Sequence, residues 1–160
     1  MFLDPTNMLL INDANPEENW FEVLALWSRI ANWIHYKPSE RALRSEMKLF
    51  LIALWSEKDW LKQQYPGKAS AIEKFIDNSK YLAIVGDLAN TAKHRRLTKS
   101  RRSQATQTKY YGRVVVNNSV ARRMHYISLG NGRHVEIMEV LRGALDELEE
   151  FRYVLRADGV

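Results

Sequence analysis

Residues 15–36 read NPEENWFEVLALWSRIANWIHY, and this stretch decides the fold class. Asn15 can cap a helix, Pro16 suits its first position, and Glu17 and Glu18 face the positive end of its dipole. Trp20, Leu24, Trp27, Ile30, Ala31 and Ile34 then recur at helical spacing. Phe21, Val23, Leu26 and Trp33 widen the stripe. The helix is therefore expected to run to about Tyr36 and to be buried on more than one face. Lys37-Pro38 ends it.

The same pattern continues downstream. Ser39-Glu40 opens a second helix, with Leu43, Met47, Phe50, Leu51, Leu54 and Trp55 inward, reaching about Gln64. Tyr65-Pro66-Gly67 stops it. Ser70 and Glu73 have capping-box spacing and announce a short helix with Ile72, Phe75 and Ile76 inward. Asp77-Asn78-Ser79 breaks that helix. Lys80 to about Leu97 is helical again, carrying Tyr81, Leu82, Ile84, Val85, Leu88 and Ala92. From Thr98 to Lys109 no apolar period survives, which reads as a mobile basic loop. Tyr110–Val116 and Arg123–Leu129 read as strands, separated by a turn at Asn117-Asn118-Ser119. Gly130-Asn131-Gly132 is a hairpin signal, after which Arg133–Ile137 pairs back or starts the last helix. That helix spans about Glu136 to Leu155 with Ile137, Val140, Leu141, Leu145, Leu148, Phe151 and Leu155 inward. The expected architecture is mainly α. It is a bundle of four to five helices, with a small antiparallel β-hairpin or meander inserted before the C-terminal helix. Residues 1–160 form a single domain, and the basic loop and β insert occupy about 98–135.

Composition narrows the function classes. The chain has 160 residues, 46% apolar and 27% charged, which suits a globular domain. It has no cysteine, which excludes disulfides, thiolate metal sites and a cysteine nucleophile, and which suits a cytoplasmic location. Met1–Leu10 lacks a basic segment followed by a clean apolar run, so no signal peptide is expected. Leu49–Trp55 is far shorter than the roughly 20 apolar residues of a spanning helix, so no membrane partner is expected.

Charge is unevenly placed. Between Asp87 and Glu136 there is no acidic residue, yet the interval holds 11 of the 24 Lys and Arg. The remainder carries 13 basic against 19 acidic residues. The chain thus presents one positive segment on an acidic body, suited to a polyanion. RNA or single-stranded DNA is the leading partner. The residues expected to contact it are Arg95, Arg96, Lys99, Arg101, Arg102, Lys109, Tyr110, Arg113, Arg122, Arg123 and Arg133. Tyr110 and Tyr111 adjoin the basic loop, where an aromatic ring can stack on a base. A solvated, solubilising loop is the simpler alternative.

The segment 87–94 holds the candidate chemistry. Asp87, Asn90 and His94 fall at i, i+3 and i+7 of one helix, with Lys93 beside them. Imidazole is the side chain best matched to proton transfer near neutral pH, and neighbouring cations could stabilise a phosphorane-like charge. A plain helix C-terminus also favours cations at Lys93–Arg96. His35 reads as a helix-end residue. His125 and His134 flank the hairpin turn, but no carboxylate is close to them in sequence, so neither a metal nor a cofactor is expected. Trp60 reads as an exposed edge or an oligomer contact.

Asn90-x-x-Lys93-His94 at a helix end, followed by a polar stretch, hairpin text and a closing amphipathic helix, resembles an arrangement in small bacterial proteins of unknown function. More loosely, it resembles the HEPN superfamily. That resemblance implies a helical bundle, often a homodimer or higher homo-oligomer, and a metal-independent ribonuclease of a toxin or antiviral defence system. His94 matches the signature histidine, and Asn90 matches its polar residue approximately. The signature arginine has no counterpart, since Ala89, Leu88 and Asp87 occupy the candidate positions.

Three functions are compatible with these residues. One is a nucleic-acid-directed effector in which His94 acts as acid or base, Asn90 and Lys93 position a phosphate, and Asp87 completes the line. Another is a non-catalytic RNA- or DNA-binding module. The third is an assembly protein whose basic segment docks on an acidic surface, such as the last helix of a second copy with Glu136, Glu139, Asp146, Glu147, Glu149 and Glu150.

Overall fold

The structure is a computed structural model that describes residues 15–32, 39–94, 107–117, 120–129 and 132–159. Among these, five helices and one antiparallel sheet follow the order α1 (Glu18–Ala31), α2 (Glu40–Gln64), α3 (Ala69–Asn78), α4 (Lys80–His94), β1 (Gln107–Asn117), β2 (Val120–Ser128), β3 (His134–Glu136) and α5 (Ile137–Asp158). The fold is mainly helical with a small antiparallel sheet before the last helix, as the periodicity implies.

Trp20, Val23, Leu26 and Ile30 form the buried stripe of α1, which packs on α2 with Trp27 and Phe50 rings 5.6 Å apart. Leu24 and Phe21 depart from the expected stripe and are 37% and 58% exposed. At about 100° per residue they rotate off the side that meets α2, and among the described residues no element covers them. Ala31 is exposed for the same reason. Asn15 does not cap α1 directly. Its side chain accepts from Glu17 N at 3.0 Å and its carbonyl from Glu18 N at 2.8 Å, forming a turn that leads into the helix. The expected continuation through Trp33–Tyr36, including His35, lies outside the described residues.

Ser39 caps α2 through its hydroxyl, 3.2 Å from Ala42 N. Tyr65 ends the helix, and a 3-10 turn at Pro66–Lys68 leads directly into α3. Ser70 does not cap α3, because the helix already begins at Ala69. Glu73 turns instead to Lys62 and Lys58 of α2, joining the two helices by ion pairs. Phe75 of α3 stacks on Phe151 of α5 at 3.9 Å. Trp60 is half-buried.

Every residue of α4 from Leu82 to Leu88 is buried, and so is Ala89, which makes it the central helix. Close approach needs glycine here: a Cβ on Gly86 would lie 2.6 Å from the Trp55 indole. Entry of the chain into α4 is built by α5. The Glu147 carboxylate accepts from Lys80 N, Tyr81 N and Leu82 N at 3.1–3.2 Å. The Tyr81 ring lies across Gly143, and its hydroxyl donates to Glu139 at 3.0 Å. Glu139, Gly143 and Glu147 are spaced i, i+4, i+8 on α5, one stripe that receives the first turn of α4.

Candidate nucleic-acid interface

The sheet has the order β1-β2-β3. Its first strand starts at Gln107, so Gln107–Lys109 belong to the strand and not to the loop expected from composition, with a register shift between Gln107 and Tyr111. The second starts at Val120, three residues before the expected Arg123. Gly112 pairs with His125, Arg113 with Met124, Val114 with Arg123 and Val115 with Arg122. His125 and Ile127 are buried against the bundle, whereas Tyr126 and Ser128 are half-buried. By the two-residue period of a strand, Arg113 and Arg122 hold the register parity of Tyr126, and Arg123 holds that of His125. Arg133, which precedes β3, is exposed. The backbone therefore gathers Lys109, Tyr110, Arg113, Arg122, Arg123 and Arg133 onto one three-stranded insert. Arg95, Arg96, Lys99, Arg101 and Arg102 lie outside the described residues.

The hairpin between β2 and β3 closes through Leu129 N to Arg133 O at 2.8 Å and Gly132 N to Leu129 O at 3.0 Å. Gly132 has φ +78°, a left-handed conformation that favours glycine. His134 Nδ1 lies 3.1 Å from the Ser128 hydroxyl, its paired residue across the ladder. Among the described residues no three His, Asp or Glu groups converge as a metal site.

Asp87, Asn90 and His94 occupy the expected i, i+3, i+7 positions of α4. Asp87 is 2% exposed and Asn90 half-buried. Asp87 and Asn90 turn toward the bundle because α4 is packed there on most sides. Lys93 and His94 form the last turn of the helix, at the border of the basic segment, and their side chains lie outside the description.

Where the insert meets the bundle there is an open cleft of about 460 Å³. Lys80, Arg133 and Tyr126 line it, together with Asp77, Glu136 and Glu139. Lys80 lies 2.9 Å from the Tyr81 hydroxyl and 4.5 Å from the centre of its ring. Hydrogen bonding to Tyr81 and the nearby Glu139 charge raise its pKa, against burial and the repulsion of Arg133. Both Glu136 oxygens accept 3.0 Å bonds from the first turn of α5, at Met138 N and Glu139 N.

A second polar cluster escapes sequence reasoning. Arg152 is 4% exposed and Glu57 fully buried. The Arg152 guanidinium pairs with Glu57 and Glu17 and lies 4.5 Å over the Trp20 ring. Asn19 donates to Glu57 at 2.6 Å and to Ala53 O at 3.1 Å, and Arg156 pairs with Glu17 at 2.8 Å. This network ties α1 to α2 and α5. Arg41, Arg44 and Lys48 form an exposed basic stripe on α2, outside the basic segment that charge counting singles out.

The two carboxylates titrate in opposite directions. Burial and the Glu17 charge push Glu57 above its ordinary value of 4.5, against Asn19 and Arg152. Burial also pushes Glu17 upward, but its bond to Arg156 and the charges of Arg152 and Arg156 outweigh this and hold it below 4.5. A raised folded-state pKa contributes stability that is fully present below 4.5 and lost as pH rises through the folded value. A lowered one contributes stability present above 4.5 and lost as pH falls through the folded value. On acidification from neutral toward 4.5, the wild type should therefore gain stability relative to Glu57→Gln. Urea melts at several pH values check this, and parallel stability curves for the two proteins would contradict it.

No family model, curated protein or solved structure matches this chain. Among the described residues no helix is long and apolar enough to cross a membrane.

Proposed function

We propose that the chain binds RNA or single-stranded DNA along the basic β insert. One observation carries this reading. The sheet brings Lys109, Arg113, Arg122 and Arg123, from a 48-residue interval free of Asp and Glu, together on two adjacent strands, while the outer face of α5 exposes Glu139, Asp146, Glu149 and Glu150. Each phosphate neutralised on a single strand contributes a slope of about −0.7 in log K against log salt. Four to six contacts give a slope of about −3 to −4. Fluorescence anisotropy with a labelled RNA at several salt concentrations measures it. Replacing Arg113 and Arg122 together with alanine should make the slope shallower by roughly 1.4. A salt-insensitive or absent affinity removes the reading. If a salt-sensitive dimer forms instead, the acidic face of α5 is the partner of the insert.

A catalytic version of the same function places the chemistry at His94, the last residue of α4, where the bundle borders the basic segment. Its acid or base would be His94, with Asn90 and Lys93 positioning phosphate. Asp87, being buried, would act from within the fold and not on substrate. This version keeps the resemblance to metal-independent HEPN ribonucleases, and with it a role in a toxin or defence system. Purified protein should then cleave RNA without added metal, and His94→Ala should abolish cleavage while leaving the melting temperature nearly unchanged. Wild-type protein that binds but leaves RNA intact is a binding module.

A further inference from the structure

We propose that the exposed stripe Arg41, Ser45 and Lys48 on α2 is a second phosphate-binding surface, which holds the backbone of the same strand that the β insert binds; it rests on the nucleic-acid reading above. Arg41, Arg44, Ser45 and Lys48 are all exposed and line a recess of about 490 Å³. Arg41 and Lys48 stand two turns apart on one face of the helix, about 10.5 Å along its axis. Arg44 is already engaged within the chain, so the surface is built on Arg41 and Lys48. The Ser45 hydroxyl lies between them and can donate to a phosphate oxygen.

What singles the stripe out is its lack of counter-charge. Elsewhere in the bundle Arg29, Lys58, Lys62, Lys68, Arg152 and Arg156 each pair with a carboxylate. Among the described residues neither Arg41 nor Lys48 has an ion pair. The one carboxylate between them in sequence, Glu46, is half-buried and pairs with Arg29 at 3.6 Å. Lys74 is the single cation of α3, and Arg142 stands between Glu139 and Asp146 on α5, so neither forms a stripe. Outside the acid-free interval the chain carries 13 basic against 19 acidic residues, yet Arg41, Arg44 and Lys48 fall within two turns of α2. An acidic body thus holds two positive surfaces on elements with different neighbours: the insert packs on α5, and α2 mainly on α1, α3 and α4. A polyanion running over the surface engages both, releasing counterions at each phosphate that meets a cation. No aromatic ring lines the recess, so it holds phosphate and reads no base.

Fluorescence anisotropy with labelled oligouridylate at several salt concentrations tests this on the full chain and four variants. Arg41→Ala with Lys48→Ala should make the slope of log K against log salt shallower by roughly 1.4. Adding Arg113→Ala and Arg122→Ala should bring the change to roughly 2.8, since both surfaces grip one strand. Arg41→Lys with Lys48→Arg keeps both charges and should keep the wild-type slope. A wild-type slope in the Arg41/Lys48 alanine variant, with the Arg113/Arg122 variant still shallower, overturns the second surface and leaves the nucleic-acid reading standing. An equal loss in the charge-preserving variant overturns it as well, because the effect then comes from the fold. A salt-sensitive dimer that the Arg41/Lys48 alanine variant disperses, at unchanged RNA affinity, overturns it in favour of the acidic face of α5 in a second copy. Oligouridylate and its deoxy counterpart left unbound by the wild type overturn both readings.

Discussion

Arg152→Ala should destabilise the protein by about 3–5 kcal/mol, the usual cost of removing one partner from a buried ion pair. The guanidinium is almost completely enclosed and serves Glu57 and Glu17 at once. Its removal leaves the Glu57 carboxylate buried with Asn19 as its remaining donor, and it strips the cation from the face of Trp20. Most of the loss thus comes from what remains behind. Two comparisons isolate that cause. Arg156→Ala removes a guanidinium whose side chain is 57% exposed and should cost no more than about 1 kcal/mol. Replacing Arg152 and Glu57 together with methionine should recover much of the loss, because two apolar chains need no counter-charge. Urea unfolding at pH 7 with unchanged m-value gives these differences directly. A loss below about 1 kcal/mol for Arg152→Ala would mean that water reaches Glu57, and that the cluster is a surface pair.

Sequence reasoning finds helices here more readily than it finds their partners. The stops at Tyr65-Pro66-Gly67 and Asp77-Asn78-Ser79, together with the 3.6-residue period, place α2, α3 and α4 close to their observed limits. Helical period alone does not say which flank of a helix a neighbour covers, and so it places Phe21 and Leu24 in a core that, among the described residues, stops beside them. The polar cluster left a signal that composition obscures. Leu141, Leu145, Leu148, Arg152 and Leu155 follow a 4-3-4-3 spacing, and Phe50, Leu54, Glu57 and Leu61 follow 4-3-4. Each charge occupies a core position of its helix. Two opposite charges on two core stripes point to a buried pair, whereas Glu57 read within its charged run, Ser56 to Asp59, looks like a solvated face. The candidate site divides in the same way. Charge segregation and the strand text are visible in the residues themselves. The cleft is not, because Lys80, Tyr126, Arg133 and Glu139 come together only when the insert folds back onto the bundle.

The start of α4 should be the second most sensitive point of the fold. Glu147→Ala should cost about 2 kcal/mol, the upper end for loss of an N-terminal cap, since one carboxylate receives three consecutive backbone N–H groups and also faces the positive end of the helix dipole. Gly143→Ala pits two effects against each other. Alanine is better than glycine inside a helix by about 1 kcal/mol. The added methyl, however, would sit 2.3–2.7 Å from three ring atoms of Tyr81, Cγ included, and the hydroxyl of that ring is held by Glu139 and Lys80. Overpacking of this kind costs about 1–3 kcal/mol, so the clash should win and the variant should be less stable than wild type. Both changes act on the same turn, so their combined effect should fall short of the sum; once Tyr81 has left the notch, Glu147 has fewer donors to receive. Exposed Glu150 on the same helix supplies the control, with a change to alanine expected within about 0.5 kcal/mol. Hydrogen exchange localises the effect, since the amides of Lys80, Tyr81 and Leu82 should exchange faster in Glu147→Ala than in Glu150→Ala. Equal exchange in the two variants would show that the first turn of α4 is held by packing alone.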